Sequence, residues 1–205
     1  MNEREKMLSG AIYKTGDPEL RDELHRAKDL CWEYNQTRPS DRAKRKEIIN
    51  SLIGERKGSY HIEQPFWCDY GSNISLGDNF YANHNTVILD AAKVTFGDNV
   101  FVAPNCGFYT AGHPVDVERR NAELEYAWPI TVGDNVWIGG GVHVMPGVSI
   151  GSGTIIAGGS VVTKNIPENV IAGGNPCRVI RPVPDDDRTT DFKALYEEKQ
   201  KKQAL

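Results

Sequence analysis

From Leu76 onward the apolar positions recur every six residues, a spacing that fits neither an amphipathic helix nor a strand of alternating faces. Leu76-Gly77-Asp78-Asn79 opens one run, Phe96-Gly97-Asp98-Asn99 a second and Val132-Gly133-Asp134-Asn135 the longest. The last continues through Ile138-Gly139, Val144-Met145, Ile150-Gly151, Ile156-Ala157 and Val162-Thr163, six successive hexads in register. This pattern predicts a triangular parallel solenoid in which each hexad is a short strand and a turn, and three hexads close one coil. The aliphatic residue points into the prism, and Gly, Asn or Asp takes the tight or positive-φ corner. Stacked coils pair each other's backbones and bury a continuous aliphatic column. Val132 to Ile150 is eighteen residues, one coil, whereas Leu76 to Phe96 is twenty, so a corner there carries about two extra residues. A hairpin-built sandwich would show alternation and irregularly spaced turns instead.

The flanks follow other rhythms. Asp17-Pro18-Glu19-Leu20 reads as a helix start, with Asp at the N-cap and Pro at the first helical position. Leu20, Leu24, Ala27, Leu30, Cys31 and Tyr34 then keep a three-four spacing. Pro39-Ser40 predicts a second start leading to Ile48, Ile49, Leu52 and Ile53, with Gly54 as the stop. The expected organisation is a helical cap over 1–58 and a β-helix over 59–183. A tail over 184–205 follows, broken by Pro184 and the acidic run Asp185–Asp187 and ending in a lysine-rich helix from Phe192 to Lys202. Between Phe108 and Thr131 the six-residue register is lost, and His113-Pro114, Arg119-Arg120 and Trp128-Pro129 fall in that stretch. An excursion over about 109–130 from a tightly wound repeat is where function is expected.

Composition narrows the chemistry. The 205 residues are 39% apolar and 25% charged, with a formal net charge of -4, so a basic nucleic-acid footprint is absent. No apolar run approaches a membrane span, and the charged start from Met1 to Gly10 lacks the core of a secretory signal. A cytoplasmic chain without membrane or nucleic-acid partners is expected. Cys31, Cys68, Cys106 and Cys177 are too scattered for a zinc knuckle or disulfide frame and read as packed, reduced thiols.

Several stretches together resemble the maltose/galactoside O-acetyltransferase branch of the hexapeptide acyltransferases. They are Asp69-Tyr70-Gly71-Ser72-Asn73-Ile74, Asn79-Phe80-Tyr81-Ala82-Asn83, Thr110-Ala111-Gly112-His113-Pro114, Pro129 to Gly139, Val161-Val162-Thr163-Lys164 and Gly173 to Ile180. The hexads alone indicate the superfamily. The helical cap, the His-Pro loop and the Asn-Pro-Cys-Arg ending are specific to this branch. The resemblance implies a left-handed parallel β-helix, a hand that periodicity does not carry and that runs against the usual crossover rule. It also implies acetyl-CoA as co-substrate, no metal, a sugar acceptor of the maltose, glucose or galactoside type, and a homotrimer with shared active sites.

An alcohol is a poor nucleophile at neutral pH, and attack on a thioester needs a base that a histidine supplies. The residues alone leave His113 open between such a base and a loop cap; the resemblance implies that it is the base. On the acceptor side the resemblance implies Asp17, Asp69, Tyr81, Asn83 and Asp90, although Ala91 stands where the family carries the second member of an acidic pair. Asp17 explains itself equally as an N-cap. For acetyl-CoA it implies Trp137, Gly140, Gly158, Thr163, Lys164, Arg178 and Arg181, where small residues admit the pantetheine arm and the cations meet phosphates. His84 and His143 are read as structural rather than as zinc ligands, and Cys106 as wall packing rather than a nucleophile. Three alternatives stay open: acetylation of serine or an antibiotic hydroxyl, a non-catalytic scaffold, and a metal-dependent hydratase.

Overall fold

The computed structural model describes residues 1–184 and 190–203; the acidic run Asp185–Asp187 lies outside them. The fold is mainly β, a solenoid of about six coils preceded by helices and followed by one short helix. The helices are α1 (Glu3–Ser9), α2 (Pro18–Gln36), α3 (Arg42–Leu52), α4 (Val117–Asn121) and α5 (Phe192–Gln203).

Three parallel faces build the prism. The first stacks the strands at 55–56, 74–76, 94–96, 130–132 and 149–150. The second stacks those at 60–62, 80–82, 101–102, 137–138, 155–156 and 170–173, and Arg178–Pro182 turns back antiparallel on the last. The third stacks those at 66–68, 86–89, 107–109, 143–144 and 161–162. The hexad aliphatics point inward as expected: Leu76, Phe96, Val132, Ile138, Val144, Ile150, Ile156 and Val162 are all buried. Phe80, Phe96 and Phe108 pack together in the interior with ring centroids 4.9 and 5.0 Å apart, the first pair tilted and the second edge-on.

The edge between first and second faces is held by polar ladders. Asp134 Oδ1 accepts from the Asp98 amide, Asp98 Oδ1 from the Asp78 amide, and Asp78 Oδ1 from the Ser59 amide. Asn79, Asn99 and Asn135 all lie at positive φ, and their side-chain amides bond to one another up the edge. Asn tolerates this left-handed backbone better than branched residues do.

The two extra residues of the early coils sit at the edge between third and first faces. Trp67 pairs with Val87 and Val87 with Gly107, steps of twenty, whereas His143 to Val161 is a step of eighteen. At this same edge the excursion leaves after Tyr109 and returns before Ile130. Its neck is closed by the Trp128 amide donating to the Thr110 carbonyl at 2.9 Å.

The cap differs from a plug over one end. Glu55–Arg56, inside the span read as cap, is already a solenoid strand paired with Ser75–Leu76. Asp41 rather than Ser40 caps α3. Helices α2 and α3 close the prism end through Ala27, Cys31, Tyr34, Ile48, Ile49 and Leu52. Helix α1 and the strand Tyr13–Lys14 instead climb the widened edge, where Met7, Tyr13, Leu20, Tyr70, Ala91, Ala92 and Ala127 form a second core. All four cysteines are free and buried, and the Cys106 thiol donates to the Gly139 carbonyl, consistent with wall packing.

Candidate active site

The excursion is ordered by a small antiparallel sheet of its own. Leu124–Ala127 lies in the middle, with Ala111–Gly112 on one side and Tyr13–Lys14 of the cap on the other. His113 follows directly on the outer strand, its side chain 55% exposed. Its Nδ1 lies 3.4 Å from the Leu124 carbonyl oxygen, and its Nε2 lies 3.5 Å from Glu125 Oε1. A carbonyl can only accept, so a proton on Nδ1 satisfies the first contact, and in the neutral ring Nε2 then carries the lone pair.

Glu125 is the residue the sequence reading missed. Its second oxygen accepts a 2.6 Å hydrogen bond from the buried Tyr13 hydroxyl, so the cap fixes the carboxylate that faces the histidine. The strand pairing Tyr13 with Glu125 joins residues 112 positions apart. No local pattern in the sequence announces it.

Asp69 and Asp90 lie on the same widened edge. Asp90 is 0% exposed, and its carboxylate accepts from the backbone amides of Asp69, Tyr70 and Asn73 at 3.1, 2.9 and 3.3 Å. Burial pushes its acid up to about 7 against the amides of Tyr70 and Asn73, with the Asp69 charge pushing the same way. Both Asp90 carboxylate oxygens are therefore turned to backbone amides, which makes it the brace under Asp69 rather than a surface that an acceptor touches. Asp69 itself is partly exposed, and burial raises it to about 6, Lys28 opposing and Glu125 adding to the rise. Tyr13 and Tyr70 are both held well above the usual phenol range by burial and by neighbouring carboxylates. Asp17 caps α2 through Oδ1 alone, accepting from the Glu19 and Leu20 amides. It lines a cleft of about 440 Å³ with Lys14 and Glu123, at the foot of the same small sheet.

Tyr81 and Asn83 lie elsewhere. Tyr81 stands on the second face, and Asn83 begins the edge between second and third faces, its side-chain Oδ1 accepting from the His84 amide. Gly140 and Gly158 occupy that same edge two and three coils further on. Neither of their amides donates to a backbone carbonyl among the described residues. A β-carbon at Gly140 would meet nothing closer than the Pro104 carbonyl at 3.5 Å, and one at Gly158 would press on the Gly140 carbonyl at 3.0 Å. Trp137, 53% exposed, projects from the second face above Phe101. Thr163 and Lys164 return to the edge of His113, and Arg178 and Arg181 are exposed on the terminal antiparallel strand.

The candidate residues thus form two half-sites on two edges of one prism. Asp17, Asp69, His113, Thr163 and Lys164 share one edge; Tyr81, Asn83, Trp137, Gly140 and Gly158 border the other. The third face lies between them, roughly 10 Å wide for strands of three residues. His84 and His143 each meet a different partner, the Gln64 carbonyl and the Tyr109 hydroxyl, and no cluster of three or more His, Cys, Asp or Glu able to hold a metal occurs among the described residues. No helix among them is long and apolar enough to cross a membrane.

Two family models match. The maltose acetyltransferase hexapeptide capping motif covers residues 6–57, and the bacterial transferase hexapeptide model of six repeats covers 129–164. The chain is 44% identical over 190 residues to the galactoside O-acetyltransferase of Escherichia coli K12, an alignment covering 92% of this chain and 93% of that protein. The structure of a maltose O-acetyltransferase from Clostridium difficile 630 superposes with a TM-score of 0.88 at 47% identity, covering 90% of this chain and 99% of that one. A galactoside acetyltransferase in complex with coenzyme A superposes with the same score at 43% identity, covering 92% and 94%.

Proposed function

The chain belongs to the maltose/galactoside O-acetyltransferase family of hexapeptide acyltransferases, and from that premise we propose that it acetylates a sugar hydroxyl with His113 as general base. It is an acetyl-CoA-dependent O-acetyltransferase. The observation that carries the histidine's role is its setting: Nδ1 faces a carbonyl, Nε2 is left basic, and Glu125 stands 3.5 Å away to receive the positive charge.

In the proposed reaction His113 Nε2 takes the proton of the acceptor hydroxyl as its oxygen attacks the thioester carbonyl. The unpaired amide of Gly140 meets the oxyanion, and the imidazolium returns its proton to the departing thiolate. Glu125 offsets the imidazolium charge while it lasts. Positioning and oxyanion stabilisation supply most of the acceleration. Asp69, Asp17, Tyr81 and Asn83 present the mixed donors and acceptors that sugar hydroxyls require. Trp137, Gly158, Thr163, Lys164, Arg178 and Arg181 line the path of acetyl-CoA. Because the half-sites lie on different edges, each active site forms between two subunits of a trimer, a head-to-tail contact that closes on itself after three copies.

The test is thiol release from acetyl-CoA with maltose, glucose, a galactoside, serine and chloramphenicol as acceptors, beside His113→Ala. Sugar-dependent release in the wild type and a loss of about 10²- to 10⁴-fold in kcat/KM in the variant are expected. Release with serine or chloramphenicol alone would remove the sugar from the proposal, and an unaffected variant would remove the base.

A further inference from the structure

A second cleft, of about 470 Å³, opens between α3 and the first strand of the second face. Arg42, Arg45, Lys46, Ser59, Tyr60 and His61 are among the residues that line it. It sits at the edge between first and second faces, whereas the two half-sites border the other two edges. Four strand steps along the second face separate Tyr60–Ile62 from Ile155–Ile156, roughly 19 Å at about 4.8 Å per step, so the cleft is also remote from Lys164, Arg178 and Arg181.

Its electrostatics run against those of the chain, whose formal net charge is -4. Arg42 and Lys46 are exposed one helical turn apart, and neither has an ion-pair partner among the described residues. Arg45 between them is 8% exposed. Its Nη2 donates to the Ile62 carbonyl at 2.7 Å and the Tyr34 hydroxyl at 3.0 Å. The Arg45 Nε is sealed from solvent with no acceptor among the described residues, so the pinned guanidinium contributes a fixed positive charge to the cleft wall. The acids around it are already engaged, Asp41 with the Lys44 amide and Glu47 with the Lys44 ammonium. Glu63 meets both His61 and Arg45, and Asp78 accepts from the Ser59 amide and hydroxyl and from the Asn79 amide.

We propose that this cleft is a phosphate-binding site, in which Arg42 and Lys46 hold the phosphate group of a small metabolite beside the fixed positive charge of Arg45. A guanidinium and an ammonium provide the forked and point-charge donors that phosphate oxygens take, and the volume suits a ligand of phosphorylated-monosaccharide size. The site is independent of the sugar-acetylating reading, since none of its residues belongs to either half-site.

Calorimetric titration of the full chain with inorganic phosphate, glucose 1-phosphate and adenosine 3′,5′-bisphosphate tests this. Saturable binding of at least one of the first two with Kd below about 1 mM is expected. The variant Arg42→Ala/Lys46→Ala should weaken it at least tenfold while leaving melting temperature and acetyl transfer unchanged. Tighter binding of the sugar phosphate identifies an ester as the occupant; equal or tighter binding of inorganic phosphate identifies the free ion. Adenosine 3′,5′-bisphosphate probes the donor groove, and its affinity should not respond to the double substitution. The proposal fails if neither of the first two probes saturates, if the variant binds as well as wild type, or if the bisphosphate displaces them.

Discussion

Glu125→Gln removes a negative charge from beside His113 while keeping the oxygen that accepts the Tyr13 hydroxyl. The imidazolium formed during proton transfer then lacks its counter-charge. We expect kcat to fall about tenfold, some 1.4 kcal/mol, with KM for acetyl-CoA unchanged; an unaltered kcat would reduce Glu125 to a clasp for Tyr13. Asp90 carries a different prediction. Asp90→Ala leaves the amides of Asp69, Tyr70 and Asn73 buried without their acceptor, which should cost about 3 kcal/mol in urea unfolding. The charge itself has a pH signature. The Asp90 acid is raised to about 7 in the fold from an unfolded value near 4, so the folded state binds the extra proton between these limits. Stability from this group is therefore greatest below about pH 4 and is lost as pH rises through about 7. Measured against Asp90→Asn, the wild-type unfolding midpoint should accordingly drop relative to the variant across that window, and a constant difference would contradict the assignment.

Among the elements, the polar ladder at the first edge carries the clearest test. Asn99 sits at φ 56° with its side chain bonded to both Asn79 and Asn135. Asn99→Ala should destabilise by about 1–2 kcal/mol, and Asn99→Gly by less, because glycine accepts that backbone without strain; chemical denaturation separates the two. The same elements show how much the sequence discloses. Hexads are legible because the inward apolar residue and the corner residue recur at fixed spacing, so spacing alone assigns Leu76 through Val162 to the wall. The twenty-residue step from Leu76 to Phe96 even revealed a widened corner, although not that the excursion leaves from the same edge. The cap was legible as helices through the Asp17 cap and the spacing of Leu20, Ala27, Cys31 and Tyr34. Its climb along the edge was not, since strand Tyr13–Lys14 is two residues long and acquires meaning only by pairing with Leu124–Glu125. Glu125 stayed hidden for that reason, and Asp90, which the resemblance implies as an acceptor ligand, is buried in a way its sequence neighbours do not disclose. The cleft beside α3 is equally non-local, joining Arg42 to His61 across a helix end.

At the scale of the whole molecule, a single prism holds the proposed base at one edge and the other proposed half-site at the next. Glycine-lined Gly140 and Gly158 share the edge of Asn83, while His113 is separated from them by the third face. Subunit pairing around a threefold axis would bring the His113 edge of one copy against the Asn83 edge of the next. That arrangement predicts complementation. His113→Ala and Asn83→Ala proteins should each be nearly inactive alone. Unfolded together in equal amounts and refolded, they should form mixed trimers in which a site is intact whenever an Asn83→Ala copy supplies His113 and a His113→Ala copy supplies Asn83. Random assembly gives that pairing at about a quarter of interfaces, so the mixture should recover about a quarter of wild-type activity, while mixing the already folded proteins recovers little. A site complete within one chain contains one of the two lesions in every copy, and no refolding of the pair could then restore activity.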